Sequence, residues 1–362
     1  GYSNTVFRLV ENLAVPTKGL IGAWGHKYPH MGKPGPAIGF LQEAVRWWKQ
    51  WLAGEETGIM EEPRLQVWMQ DSVSPISEER PGRWIGEEGW PSPRVRRERY
   101  RTTRTGELEP EHATGNAGAG PKDAAVPDAP AAERNPAGLL IIESPLSVGL
   151  FAGKWYSYSS NTDLPNDQRE EDGGALVFET EALEGPLEIL GAPECRLRLK
   201  SSKPVAMVAC RISDIAEDGS ATRITYGVLN LTHRDGHWAP EPLPVDQWFS
   251  VVVRLNHIAQ RFAPGHRIRL SVSTSYWPLV WPAPESPRLT LDATACSLDL
   301  PVRTETGPPS AAAGTDHANP GAAARTGPGP SPEPRHFGPA ESASHPPHTI
   351  LIPAHREWTV TH

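Results

Sequence analysis

Val6, Leu9, Val10 and Leu13 recur at three- and four-residue intervals, and Pro16 closes the segment, so the pattern predicts a helix over residues 3 to 13. Leu20 and Ile21 follow as a short apolar run that ends in Gly22 and Gly25. A buried strand at 19 to 22 that releases the chain into a loop fits this pattern. Ile38, Leu41, Val45, Trp48 and Leu52 then mark a second helix behind Pro36, with Gly54 placed as its carboxyl-terminal stop. From Leu65 onward the period changes to two. Leu65, Val67 and Met69 alternate with polar or interfacial neighbours, as do Cys195, Leu197 and Leu199. Further short apolar or alternating runs lie at 205–212, 223–231, 248–255, 266–272, 288–291 and 296–302.

Eight or more short strands bounded by Gly, Pro, Asn and Asp, with no convincing helix among them, predict a mainly β chain organised as an antiparallel β-sandwich. Two stretches interrupt it. Residues 109–138 and 304–348 are rich in Ala, Gly and Pro and carry almost no large apolar side chains. Such composition does not bury enough surface to offset the entropy of ordering, so both are read as disordered surface insertions. A last short strand is expected at 349–352, within a tail that runs to 362. The domain division that follows is 1–58, then 62–302, then the low-complexity stretch and tail.

Composition narrows the class. The 39 prolines and 33 glycines in 362 residues are about a fifth of the chain, well above ordinary usage, which agrees with long linkers. With 35 Lys and Arg against 43 Asp and Glu, the net charge is −8. A chain without a basic face is a poor nucleic-acid binder. No apolar run reaches membrane-spanning length, and the first residues lack the basic and apolar regions of a secretory signal, so no membrane partner is expected. Cys195, Cys210 and Cys296 are widely spaced, which fits neither a disulfide framework nor a metal site. They read as reduced, buried thiols of a cytoplasmic protein.

Among candidate chemical residues His26 stands first, on the loop after the strand at 19–22. An imidazole delivered in this way serves as a general base to a nucleophile, provided a carboxylate holds its tautomer; the plain alternative is a loop histidine bonded to a backbone carbonyl. The residues before it hold one serine, Ser3, and one acidic residue, Glu11. Ser3 lacks the surroundings of a Gly-x-Ser-x-Gly elbow and is read as a helix N-cap. His30 would pair with His26 on a metal only along a helix, which Pro29 breaks. The acidic run Asp167 to Gly174 lacks calcium-loop spacing and reads as a solvated turn. Trp47, Trp48 and Trp51 are packing residues, with Trp48 on the helix stripe and the other two facing the β-domain. Tyr276, Trp277 and Trp281 sit in a Pro-interrupted loop, either as a wall of a substrate pocket or as an interface plug.

The run Gly22-Ala-Trp24-Gly-His26-Lys-Tyr-Pro-His30 resembles the Gly-Pro-Trp-(Gly/Ser)-His motif of the cocaine esterase and X-Pro dipeptidyl-peptidase superfamily, with Trp24 and His26 on its two diagnostic positions. Asp167 to Gly174, Tyr226 to His233 and Ser273 to Pro282 are similar to segments of that family's carboxyl-terminal β-domain. The resemblance implies a jelly-roll β-sandwich preceded by the last helix-strand-helix piece of an α/β-hydrolase domain. It implies a serine hydrolase acting on a small-molecule ester, amide or peptide, with His26 catalytic and Trp24, Tyr276, Trp277 and Trp281 as substrate-binding candidates. No metal or cofactor is implied. The family's catalytic Asp sits in a Trp-x-Asp-Gly-(Tyr/Phe) turn, so Gly1-Tyr2 resembles the two residues that follow it. The Asp and the nucleophilic Ser are then expected upstream, and the chain alone is expected to be inactive. A different reading makes the β-domain a binding module for carbohydrate or a protein partner through Trp277 and Trp281. A third makes the helix tryptophans the seam of a homo-oligomer.

Overall fold

The computed structural model describes residues 2–111, 138–158 and 163–304. Most of the expected insertion at 109–138, the stretch 304–348 and the strand at 349–352 lie outside the described residues. Helix α1 (Ser3–Asn12) is followed by strand β1 (Gly19–Ile21) and, after a long loop, by helix α2 (Phe40–Trp48), which continues as a wider π-helical turn over Lys49–Ala53. Gly54 ends it in the left-handed region at φ 70°, where glycine pays no Cβ penalty. Ser3 is the first helical residue and not the cap; Tyr2 occupies the cap position and makes no capping hydrogen bond.

The remaining strands are β2 (Leu65–Asp71), β3 (Gly82–Glu87), β4 (Val95–Thr102), β5 (Leu108–Pro110), β6 (Leu139–Ile142), β7 (Leu176–Glu179), β8 (Leu187–Gly191), β9 (Glu194–Ser201), β10 (Met207–Ile215), β11 (Ala221–Asn230), β12 (Phe249–Arg254), β13 (Ile258–Phe262), β14 (Arg267–Ser273), β15 (Leu289–Asp292) and β16 (Ser297–Arg303). A short helix, α3 (Arg169–Asp172), precedes β7. Four strands in the order β11-β10-β14-β7 form an antiparallel sheet, and the other twelve form a larger one. Side chains from both fill the main core. Leu197, Leu199 and Leu298 of the large sheet cluster with Val208, Ile212, Leu270 and Val272 of the small one, all essentially inaccessible. The chain is therefore mainly β, as its period-two runs predict. All three cysteines are free and buried.

The large sheet is mixed, which the alternation pattern did not reveal. β2 pairs in parallel with both β1 and β13. A parallel neighbour cannot be reached by a hairpin; it requires a crossover connection. The segment between β1 and β2 is that crossover, and its first part is the loop carrying His26. Helix α1 packs beneath the same edge. Phe7 and Val10 join Leu65, Val67, Met69, Leu190 and Ala259 in a second buried cluster. Gly19 makes the close approach of helix and strand feasible: a Cβ there would fall 2.8 Å from Leu65 Cδ1 and 2.9 Å from Val6 Cγ1. Residues of α1 and β1 are thus joined to the β-sandwich by hydrogen bonds and by a shared core, within one compact unit.

Helix α2 differs. Leu41, Val45, Trp48 and Leu52 are 52–78% exposed, so its stripe has the predicted period but no cover among the described residues. Trp47 and Trp51 pack against each other at a tilt, with ring centroids 5.8 Å apart.

The acidic run at 167–174 is not a solvated turn. Glu171 and Asp172 are buried, and both face Arg211 of β10, itself 0% exposed. The Arg211 guanidinium lies 3.3 Å from Glu171 Oε2 and 3.2 Å from Asp172 Oδ1. Asp172 also accepts from Ser271 Oγ at 2.6 Å and from Arg269 at 2.9 Å. The backbone N–H groups of Gly149 and Phe151 donate to Glu171. That last pair fixes the turn at 147–152, which delivers Lys154, Trp155 and Ser157 toward the His26 loop.

Candidate active site

His26 lies just beyond the carboxyl end of β1, the end of a parallel strand where α/β folds bind ligands. Its loop is held from two sides. Gly25 N–H donates to Lys33 O at 2.8 Å, and His26 N–H donates to Ser157 O at 2.6 Å. Trp24 anchors the turn: its indole N–H donates to Pro36 O at 2.6 Å. Its ring lies over Gly32, where a Cβ would come within 2.2 Å of Trp24 Cδ1. The His26 imidazole is packed among Tyr2, Tyr156 and Tyr158, with centroids 5.9, 5.0 and 5.3 Å away. Among the described residues neither ring nitrogen of His26 has a hydrogen-bond partner.

Trp24 and His26 open onto a cavity of about 240 Å³, whose other walls include Arg80, Lys154, Trp155, Arg223, Tyr226 and His257. The β-sandwich therefore supplies much of the cavity into which the His26 loop projects. His257 stacks on Phe7 at 4.4 Å, and Asn4 Oδ1 accepts from its backbone N–H at 2.8 Å. Burial, with help from the charges of Arg8 and Arg97, lowers its pKa to about 4.

The sign of the consequence is fixed by that direction. In the unfolded chain a histidine titrates near 6.5, so between about pH 6.5 and 4 the unfolded state binds the extra proton. Stability is full above that window and is lost as pH falls through it, by about 2–3 kcal/mol. Urea midpoints measured across this range for wild type and His257→Gln should show the loss in the first and not in the second. Equal slopes in the two proteins contradict the assignment.

The other sequence candidates are placed elsewhere. Tyr276 is fully buried, and its hydroxyl accepts from Arg223 at 2.8 Å. It backs the cavity through that arginine without lining it. Trp277 and Trp281 meet at a tilt with ring centroids 4.9 Å apart, Trp281 is 80% exposed, and neither lines the cavity. His30 stacks with Tyr28 and Phe40, at 5.9 and 6.2 Å. A second Ser, His and Asp grouping exists at Ser72, His266 and Asp214, but there the carboxylate sits in the middle, bonded by both Ser72 Oγ and His266 Nδ1. A serine that donates to Asp is not activated by the imidazole. No group of three or more His, Cys, Asp or Glu able to hold a metal occurs among the described residues. No helix among them is long and apolar enough to cross a membrane.

The architecture has counterparts in known proteins. The model of the X-Pro dipeptidyl-peptidase C-terminal non-catalytic domain family matches residues 57–323.

The chain belongs to that family.

Its X-Pro dipeptidyl-peptidase C-terminal domain thus begins close to the β2 edge and includes the sandwich. Cocaine esterase of Rhodococcus sp. (strain MB1 Bresler) is 28% identical over 116 residues, which is 32% of this chain and 20% of the esterase. Among solved structures, an aminopeptidase from a marine-sediment Thaumarchaeota archaeon superimposes with a TM-score of 0.59 at 16% identity, covering 80% of this chain and 49% of its own. An α-amino acid ester hydrolase gives 0.58 at 18% identity, covering 78% and 50%. These likenesses establish the shared fold. The chain spans about half the length of the solved relatives, and their names are those of hydrolases.

Proposed function

We propose that this chain supplies the general base, His26, and much of the substrate cavity of a serine hydrolase of dipeptidyl-peptidase or acyl-esterase type. The observation that carries the proposal is the placement of His26. It stands at the carboxyl end of β1, on a loop pinned by backbone hydrogen bonds, with its ring at a cavity walled by the β-sandwich. In the reaction, a serine hydroxyl attacks the carbonyl of an ester or amide while His26 takes its proton. The protonated imidazole returns that proton to the departing alcohol or amine, leaving an acyl-enzyme that water resolves by the same route. The serine and the carboxylate that orients His26 are assigned to the half of the relatives' fold that these residues do not span. Hydrolysis by the chain alone is accordingly expected to be absent. The complete polypeptide carrying it, mixed with an activated acyl ester and quenched in acid, should show one acyl group covalently bound to a serine. Turnover without such an adduct on any serine contradicts acyl transfer.

A second reading draws on the exposed Trp281 packed at a tilt against Trp277: an exposed aromatic surface of that kind suits a carbohydrate or protein-binding module. Turnover in the complete polypeptide favours the first reading; saturable ligand binding with no turnover favours the second.

A further inference from the structure

Arg80 and Arg223 both line the His26 cavity, and among the described residues neither is paired with a carboxylate; Asp163, the carboxylate of the lining, is taken up by Lys154. Arg80 lines it just after an isolated bridge between Gly35 and Glu79, held by its backbone: Arg80 N–H donates to Gly35 O at 3.3 Å, and Arg80 O accepts from Trp68 Nε1 at 2.8 Å. Its side chain has no ion pair or hydrogen bond among the described residues. Burial and the charge of Arg223 both depress its pKa, so the two cations feel each other directly. Arg223 of β11 donates to Ala152 O at 2.6 Å and to the Tyr276 hydroxyl at 2.8 Å, and its guanidinium lies 4.5 Å from the centre of the Tyr226 ring. None of these partners is a carboxylate, and burial pushes the Tyr226 phenol up to about 12.

The remaining charges of the lining do not cancel these two. Lys154 pairs with Asp163 at 2.7 Å, and that carboxylate also accepts from Tyr158 N–H. His257 is held neutral by burial. Elsewhere the sandwich neutralises its arginines with care: Arg99 and Arg196 on Asp299, Arg303 on Glu87 and Glu188, Arg269 on Asp172 and Glu179. Two like charges held close in a partly desolvated cavity repel more strongly than in water. A planar fork of donors without an acceptor is the arrangement that receives a carboxylate.

We propose that Arg80 and Arg223 form an anion subsite beside His26, which selects substrates bearing a free carboxylate. This rests on the hydrolase reading for its substrate but not for its binding chemistry, so the two are separable by experiment. The probe is adipate, with neutral adipamide as the control, titrated calorimetrically into the chain. Adipate should bind and adipamide should not. Arg80→Met keeps the aliphatic stem and loses the charge, and it should weaken adipate at least tenfold while circular dichroism and the urea midpoint stay near wild type. Arg80→Lys should retain part of the affinity. Equal binding of acid and amide, or unaltered adipate binding by a folded Arg80→Met, overturns the subsite.

In the complete polypeptide two arms locate the carboxylate. A nitrophenyl ester of mono-adipic acid carries it on the acyl side, and an acylated hydroxybenzoate carries it on the leaving side. One of them should exceed its uncharged analogue at least tenfold in kcat/KM, and Arg80→Met should abolish the preference. Adipate binding without any turnover leaves the subsite standing and removes the hydrolase reading; turnover without preference for either acid removes the subsite alone.

Discussion

Replacing His26 by alanine in the complete polypeptide is expected to lower turnover on the proposed ester or amide substrate by about 10⁴-fold or more, as loss of the general base does in such triads. The fold should tolerate the change. His26 is only partly buried, and what ties it to the protein is its backbone N–H to Ser157 O, which alanine retains. His30 provides the internal control. It is close in sequence but stacks on Tyr28 and Phe40 and does not line the cavity. His30→Ala should therefore keep turnover within a few-fold of wild type, measured on the same substrate. Comparable losses from both substitutions would mean that the loop as a whole, and not the His26 ring, is what matters.

The second large effect concerns stability. Arg211→Met should cost about 3–5 kcal/mol, because it leaves Glu171 and Asp172 buried without their central cation. Arg267 is the contrasting case. Its pair with Glu179 is half exposed, and Arg267→Met should change stability by less than about 1 kcal/mol. Urea unfolding with a common slope measures both. A loss under about 1 kcal/mol for Arg211→Met would show that the carboxylates find other partners or protonate at little cost. The consequence reaches the site, since Glu171 also holds the turn at 147–152 that leads to Lys154, Trp155 and Ser157.

Local periodicity disclosed α1, β1, α2 and most of the long strands, because each is set by residues a few positions apart. What it could not disclose is which face meets a partner. In α1 the stripe of Val6, Leu9, Val10 and Leu13 is real, yet Leu9 and Leu13 are 47% and 40% exposed and Phe7 is buried in their place. The burial face turns toward Trp90 and His257, which arrive from the distant β3–β4 and β12–β13 connections. Strand β4 escaped notice for a different reason. Its sequence, Val-Arg-Arg-Glu-Arg-Tyr-Arg-Thr, carries almost no apolar signal, since it pairs along β16 and meets the neighbouring strands through ion pairs such as Arg99 with Asp299 and Arg97 with Glu194.

The site divides along the same line. Trp24 and His26 were legible because strand, glycine turn, tryptophan and histidine are contiguous. Arg80, Arg223, Tyr156 and Tyr158 were not, because the crossover and the sandwich bring them together from three separate segments. Glu171 and Asp172 were misjudged as solvent-facing since nothing in their own neighbourhood announces Arg211. An unpaired arginine within an apolar strand such as Met207–Ile215 was the available signal: it calls for a buried carboxylate somewhere else in the chain.

The proposed reaction turns on His26 activating a serine held in the same active site, and one measurement addresses that step without a choice of substrate. A fluorophosphonate reacts with such a serine at a rate set by the base beside it. In the complete polypeptide it should modify a single serine rapidly, and in a folded His26→Ala variant at least a thousandfold more slowly. Equal rates of modification in the two proteins would contradict the assignment of His26 as the general base.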